Sequence, residues 1–171
     1  SNGGKIIVPS FAVGRTQLLV YLLHKLFNQN RIPDIPIFVD SPLAARATEV
    51  FRNHHEFLDR ETGRVFLDSD EDPFGFRRLK YVEQVDDSKK LNGLSYPHII
   101  ISASGMAEGG RILHHLRHNI HNPKALILFV GYAARHTLAR RIMDGEPVVR
   151  IFGEEHRVRA RVKTLDAFSA H

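Results

Sequence analysis

The fold of this 171-residue chain is decided by Lys5-Ile6-Ile7-Val8-Pro9-Ser10-Phe11-Ala12-Val13-Gly14-Arg15-Thr16. Its first half is a short apolar run, which predicts a buried strand over residues 5–9. After Gly14, leucines recur at helical spacing, and this stripe predicts a helix. The leucines are Leu18, Leu19, Leu22, Leu23 and Leu26. A buried strand followed by an amphipathic helix is the repeating unit of a parallel sheet.

The same alternation continues along the chain. Further strands are predicted at 37–39, 98–102 and 125–130, and further helices at 42–53, from about 111 to 118, and at 137–143. This order predicts one α/β domain with a mostly parallel, Rossmann-like sheet and helices on both faces.

Two other regions are less regular. Residues 148–152 and 156–164 predict an antiparallel pair of strands near the carboxyl terminus, joined by a turn at 153–155. Between the second and third strands, residues 74–83 and 88–91 are predicted to be helical.

Composition narrows the class of protein. The apolar fraction of 43% and the charged fraction of 25% are typical of a globular domain. The chain has no cysteine, which excludes disulfides and thiolate metal sites. No apolar run approaches the roughly 18 residues of a membrane span, and no secretory leader is recognisable. We therefore expect a cytoplasmic protein.

The net charge of +5 is unevenly distributed. Residues 1–110 carry 13 Lys and Arg against 14 Asp and Glu, whereas residues 111–171 carry 11 against 5. A basic carboxyl third on a nearly neutral scaffold indicates a polyanionic partner. The alternative is that this charge serves only solubility.

Four loops of the predicted sheet are candidates for an anion site, because ligands of open α/β sheets bind at the carboxyl ends of the strands. Glycines, serines and arginines in these loops can offer backbone N–H groups, hydroxyls and bidentate donors to phosphate. The candidates are Ser10, Gly14, Arg15, Ser41, Ser104, Gly105, Gly109, Gly110, Arg111 and Tyr132. For any single loop, a tight turn with a surface arginine is the competing explanation. No Walker A or G-x-G-x-x-G spacing is present.

A basic strand is predicted at 156–164. Its exposed face would carry Arg157, Arg159, Arg161 and Lys163, so that four cations recur about every 6.6–7 Å. This spacing suits the phosphates of a single-stranded nucleic acid. A charged edge strand that blocks aggregation is the alternative.

Three histidines could share a stripe of the helix near residue 114. His114, His118 and His121 invite a metal hypothesis, but no nearby carboxylate completes a site. We expect polar packing or an RNA-facing surface there, and no metal bound by this chain. The sequence also lacks a G-x-S-x-G elbow and a catalytic carboxylate pair.

Taken together, four segments resemble the β-CASP domain that is inserted in metallo-β-lactamase-fold nucleases. Relatives of that family include bacterial and archaeal RNA-processing exonucleases, ribonuclease J and the cleavage and polyadenylation endonuclease. The resemblance covers nearly the whole chain, in the right order. The segments are residues 3–17, Asp40-Ser41-Pro42-Leu43-Ala44, Ser104-Gly105-Met106-Ala107-Glu108-Gly109-Gly110-Arg111 and Phe168-Ser169-Ala170-His171.

The resemblance implies one part of a split enzyme. In this family a metallo-β-lactamase domain holds two zinc ions through an H-x-H-x-D-H motif, which is absent here, and single-stranded RNA enters between the two domains. His171 corresponds to the family's motif B, which makes it the candidate general acid, and Ser169 would contact phosphate. The acidic partner of that histidine would precede Ser1, so we expect residues 1–171 to be a fragment that is inactive alone.

One departure from the family pattern concerns the segment after Gly131-Tyr132. Relatives usually have glycine at the two positions occupied here by His136 and Ala139. Two other functions stay open: a non-catalytic RNA- or partner-binding module of a nuclease-like subunit, and a nucleotide-binding α/β domain. Exonuclease and endonuclease action, and RNA and single-stranded DNA, are not distinguished by these residues.

Overall fold

The computed structural model describes residues 4–54 and 72–165. Eight strands are present there: β1 (Ile6–Pro9), β2 (Ile37–Asp40), β3 (Leu79–Tyr81), β4 (Ile99–Ser102), β5 (Leu126–Val130), β6 (Val148–Ile151), β7 (Glu154–Arg157) and β8 (Arg161–Leu165). The helices of the same residues are α1 (Arg15–Asn28), α2 (Pro42–Asn53), α3 (Val85–Gly93), α4 (Ile112–Asn119) and α5 (Leu138–Met143).

Six strands form one sheet in the order β3-β2-β4-β1-β5-β8, and every neighbouring pair is parallel. β6 and β7 form a separate antiparallel hairpin. The predicted α/β fold, with its parallel sheet and antiparallel pair near the carboxyl terminus, is therefore confirmed.

The core has two halves, one on each face of the sheet. Successive strand residues point to opposite faces, so that Ile7 and Ile100 lie in one half and Val8 and Ile101 in the other. The first half packs against α4 and α5, and the second against α1 and α2. Helices cover both faces, as the strand and helix order predicted.

The helix predicted at 74–83 is wrong. Residues 79–81 instead form β3, which pairs with β2 from Ile37 opposite Leu79 to Val39 opposite Tyr81. Only Lys80 of the three is fully exposed, which fits the period of a strand. The backbone N–H and C=O groups at this edge of β2 need hydrogen-bond partners. Residues 79–81 supply them, and a pairing over this distance along the chain is not visible in the local sequence pattern.

The single strand predicted at 156–164 is also wrong. Its first residues belong to β7 and its last to β8, which joins the main sheet beside β5. Between them, the N–H of Val158 donates to Pro147 O at 2.9 Å, and those of Arg159 and Ala160 both donate to Ile120 O at 2.9 Å. These hydrogen bonds fix residues 158–160 in the connection between the β6–β7 hairpin and the main sheet.

Among the helices in the described parts of the chain, none is both long and apolar enough to span a membrane.

Candidate nucleic-acid interface

The four candidate loops meet at one edge of the sheet. Because β1, β2 and β4 are parallel, their carboxyl ends coincide: Pro9 and Asp40 both lie opposite Ser102. β5 and β8 end at the same edge, with Val130 opposite Leu165. We call this region the carboxyl edge; it comprises residues 10–15, 40–41, 102–111 and 131–137 together with Leu165. In sequence, residues 166–171 follow directly.

A small cleft lies between the loops after β1, β4 and β5. Arg15, Gly105, Gly131 and Tyr132 line it, and it holds about 10 Å³, the space of roughly one water molecule. An anion at this point would therefore bind on the rim rather than inside. Tyr132 lies at that rim and is 61% exposed.

Three candidate serines use their hydroxyls inside the protein. Ser10 is 1% exposed and accepts from the Thr16 hydroxyl at 3.1 Å. Ser41 accepts from the Ala44 N–H at 3.2 Å and so caps α2. Ser104 donates to the Gly109 carbonyl at 3.3 Å. These bonds shape the loops; contact of the three serines with phosphate stays a prediction.

The glycines of the β4–α4 loop differ in what they permit. A Cβ on Gly105 would lie 3.1 Å from the ring of Phe11, and one on Gly110 would lie 2.4 Å from the Ala103 carbonyl oxygen. Gly110 also has a φ of +83°, which favours glycine. A Cβ on Gly109 would meet nothing within 4 Å. The first two positions therefore leave no room for a side chain, whereas a side chain at Gly109 would meet open space.

The carboxylate of Asp40 lies under this loop and is fully buried. Arg111 donates to its Oδ1 at 2.7 Å. Its Oδ2 accepts from the Ser88 hydroxyl at 2.5 Å and from His115 Nε2 at 2.6 Å. The other nitrogen of that imidazole lies 2.9 Å from Asn92 Oδ1. One carboxylate thus joins β2, α3 and α4.

Burial by itself raises the pKa of Asp40, because a carboxylate is costly to desolvate. The hydrogen bonds from His115, Ser88 and Arg111 outweigh burial and hold that pKa below its usual value. Asp40 is therefore ionised at neutral pH and balances the charge of Arg111.

Arg111 is directed inward rather than toward solvent. Besides Asp40, its guanidinium donates to the carbonyl of Val82 at 3.0 Å and to that of Glu83 at 2.6 Å, and its side chain is 18% exposed. In this structure the arginine braces the loop. Its predicted contact with phosphate would require it to leave these acceptors.

The cluster around Asp40 was missed at the sequence level, although one signal points to it. Ile112, His115, Leu116 and Asn119 follow helical spacing and are all buried on one face of α4. A buried histidine on such a face needs a polar partner. Asp40, at the end of a buried strand, supplies it.

The histidines of the predicted stripe near α4 are exposed to solvent. His114 and His118 lie on the solvent side of α4, where His118 Nδ1 is 2.8 Å from the His114 carbonyl oxygen. Within residues 4–54 and 72–165, no group of three or more His, Asp or Glu side chains is placed to hold a metal ion.

The basic segment is exposed but is not a straight row. Arg157 belongs to the hairpin, and Arg161 and Lys163 belong to the edge strand β8. The uniform spacing expected of one strand is therefore lost. All four cations, Arg159 included, still face solvent.

Sequence comparison matches most of this chain to known proteins. The Beta-Casp domain family matches residues 16–142. The chain belongs to the β-CASP family. It is 40% identical over 171 residues to ribonuclease TTHA0252 of Thermus thermophilus. It is 30% identical over 176 residues to the transcription termination factor FttA of Cenarchaeum symbiosum, and 31% identical over 170 residues to an RNase J-like protein of Methanocaldococcus jannaschii.

These alignments cover 99% or more of this β-CASP chain but only 39%, 27% and 38% of the respective relatives. The relatives therefore contain long regions that have no counterpart in residues 1–171. Two site residues that the β-CASP resemblance assigns, Ser169 and His171, lie outside the described residues.

The two departures from the usual β-CASP glycines have different consequences. His136 has a φ of +67°, in the region that glycine favours. The histidine thus keeps the backbone conformation of a glycine and adds an exposed imidazole. Ala139 is fully buried in α5, and its N–H donates to the Met106 carbonyl at 3.1 Å, so its methyl group packs inside the domain.

Gly109 and Gly110 allow a matched test of the loop. We expect Gly110→Ala to lower the free energy of unfolding by about 2 kcal/mol or more, because the new Cβ adds steric overlap to an unfavourable φ. Gly109→Ala should change it by less than about 0.5 kcal/mol. Urea denaturation measures both. Equal effects of the two substitutions would contradict the assigned geometry.

Asp40→Asn should destabilise the domain by about 3 kcal/mol at neutral pH, because Arg111 loses its buried counter-charge. The lowered pKa of Asp40 means that its contribution is present above the unfolded-state pKa of about 3.9 and is lost as pH falls through the folded-state pKa. The variant should therefore lose less stability below about pH 4 than the wild type.

Asp86→Asn, which removes an exposed pair with Lys89, is the control and should have little effect. An equally small effect of Asp40→Asn in urea titrations would contradict the stabilising role of the Asp40–Arg111 pair.

Proposed function

We propose that this β-CASP domain is the RNA-binding cap of a zinc-dependent ribonuclease of the metallo-β-lactamase fold. The observation that carries the proposal is the family membership, together with a relative named a ribonuclease that is 40% identical over the full length of this chain. In the proposal, the carboxyl edge faces the RNA backbone and a second domain of the same protein. Its cytoplasmic location stays a prediction.

Exposed apolar side chains support a domain contact at the carboxyl edge. Phe11 and Val13 follow β1, Tyr132 follows β5, and Leu165 ends β8; all four are exposed. Several large apolar side chains at one edge are typical of a surface that another protein surface covers. The occupant we propose is the metallo-β-lactamase domain, because this chain spans less than two fifths of the relatives it matches.

Zinc has no fitting ligand set among the described residues of this chain. The proposal therefore assigns the metal to residues outside them, and no step of the reaction is derived through it. This chain would contribute positioning of the RNA and a proton donor. His171, which follows β8 by six residues, is proposed to protonate the leaving oxygen.

Positive charge supports binding of single-stranded RNA near β8. The four cations at 157–163 are exposed and lie on the segment that leads to the carboxyl edge. Contacts of this kind position a strand through its phosphates without specifying its sequence. The edge loops with Arg15, Gly109 and Tyr132 would continue that path.

A general-acid role for His171 predicts a large effect of His171→Ala in the full-length protein. Turnover on single-stranded RNA should fall by about 10²–10⁴-fold, with the zinc content unchanged. The decline of the rate at alkaline pH, where a histidine acid loses its proton, should also disappear. His54→Ala, which removes an exposed histidine at the end of α2, is the control. Unchanged turnover of the His171 variant would reject the role.

Neutralising the basic segment should weaken RNA binding in a salt-dependent way. For Arg159→Gln and Arg161→Gln, we expect the slope of log affinity against log salt to fall by about 0.7 for each phosphate that the variant no longer neutralises. Arg77→Gln, which removes an exposed arginine paired with Asp34 near β3, should leave the slope unchanged. Fluorescence anisotropy at several salt concentrations measures it. Identical slopes for all variants would exclude this segment from the RNA path.

A second candidate is a non-catalytic RNA- or partner-binding module. It is favoured by the relatives named transcription termination factor rather than ribonuclease. The full-length protein loaded with zinc separates the two candidates. The ribonuclease proposal expects cleavage of single-stranded RNA, and none by residues 1–171 alone; binding without cleavage in the full-length protein would favour the module.

A further inference from the structure

A second and larger hollow lies beside the carboxyl edge. Glu108 of the β4–α4 loop and His136 of the β5–α5 loop line one side of it, and Arg150 and Phe152 of the β6–β7 hairpin line the other. It holds about 220 Å³, against about 10 Å³ for the small cleft between the edge loops. We call it the hairpin hollow. This volume is large enough for one planar heterocycle.

The aromatic residue at its rim is not explained by the fold. Ile151 pairs with Glu154, so that Phe152 and Gly153 form a two-residue turn, with φ values of +52° and +81°. Positive φ at both positions is the type I′ turn, which favours Asn-Gly. Phenylalanine is strained at the first position, and Phe152 is 50% exposed. Neither turn geometry nor core packing accounts for this ring.

A second flat ring lies against the first. The imidazole of His114 is 4.7 Å from the ring of Phe152, centroid to centroid, at an interplanar angle of 42°. Desolvation and the neighbouring charges of His115, His118 and Arg117 lower the pKa of His114. The imidazole is therefore neutral at physiological pH. Together the two rings offer an aromatic surface next to the hollow.

Two arginines, Arg141 and Arg150, line the hollow together with Phe152. Arg150 pairs with Glu155 at 3.1 Å, and Arg141 pairs with Glu146 at 2.7 Å. Such exposed pairs contribute little energy, so a phosphate could replace either carboxylate. Glu108, the acidic residue of the lining, turns its carboxylate toward the N–H of Leu138 at the start of α5. Aromatic faces combined with cations are the chemistry of single-strand binding platforms.

We infer that the hairpin hollow is a base-stacking subsite for single-stranded RNA, in which one nucleobase lies against Phe152 and a flanking phosphate approaches Arg150. The inference rests on the proposed RNA-binding function. It extends the RNA path from the carboxyl edge to the hairpin. Stacking accepts any base, so this subsite would add affinity without sequence preference.

The test uses Phe152→Asn in the full-length protein, with a fluorescein-labelled oligouridylate as the probe. Asparagine suits the type I′ turn, so the variant should unfold at the same urea concentration as the wild type or a higher one. We expect its affinity for the probe to fall about tenfold. The salt slope should not change, because every cation that faces a phosphate is retained. An oligomer of the same length without bases should bind the wild type and the variant equally.

Two control variants sharpen the result. Phe152→Tyr keeps an aromatic ring and should retain wild-type affinity. Tyr96→Ala removes another exposed aromatic residue, just before β4 and thus at the opposite end of the sheet, and should have no effect. If Phe152→Asn binds the probe like the wild type, or if Phe152→Tyr loses affinity equally, the stacking subsite is overturned while the proposed function stands. If the wild type itself does not bind RNA, the proposed function fails as well.

Discussion

The buried carboxylate of Asp40 is the interaction on which the carboxyl edge depends. It is a single negative charge at the end of β2, and it accepts hydrogen bonds from Arg111, Ser88 and His115. Since Arg111 ends the β4–α4 loop, its position also determines where that loop lies. Hydrogen bonds from these three donors offset the desolvation cost of the charge. The buried hydrogen bonds of Asp40 thereby determine where the β4–α4 loop lies at the carboxyl edge.

This constraint divides the polar residues of the edge into two groups. Arg111, Ser10 and Ser41 are committed to the interior, where their hydrogen bonds hold loops and helix starts in place. At Gly109 a side chain would meet open space, and Tyr132 is exposed; the exposed cations at 157–163 lie outside the edge, on the segment that enters β8. Only the second group can meet a ligand without rearrangement. In the proposal, RNA therefore lies over loops that buried hydrogen bonds hold in place, and it contacts the exposed side chains beside them.

Most of the fold was predictable from sequence because buried parallel strands are continuous apolar runs and their helices carry apolar stripes. β3 was not, since its strand character comes from pairing with β2 rather than from its own residues. The break after Arg157 was also hidden, because exposed and buried residues keep alternating through 157–163 while the backbone changes sheets. At the site, the meeting of four loops followed from parallel topology. The inward direction of Arg111 did not, because an arginine at a helix start can face either a ligand or a buried acid.

A map of RNA contacts on the full-length protein would show directly whether RNA lies at the carboxyl edge. Photo-cross-linking with RNA that contains 4-thiouridine, followed by mass spectrometry of the peptides, would give it. We expect cross-links in the loops at 103–111 and 131–137, on the rim of the carboxyl edge. Cross-links confined to the opposite edge of the sheet, at residues 93–98 before β4, would contradict the claim that RNA lies where the parallel strands end.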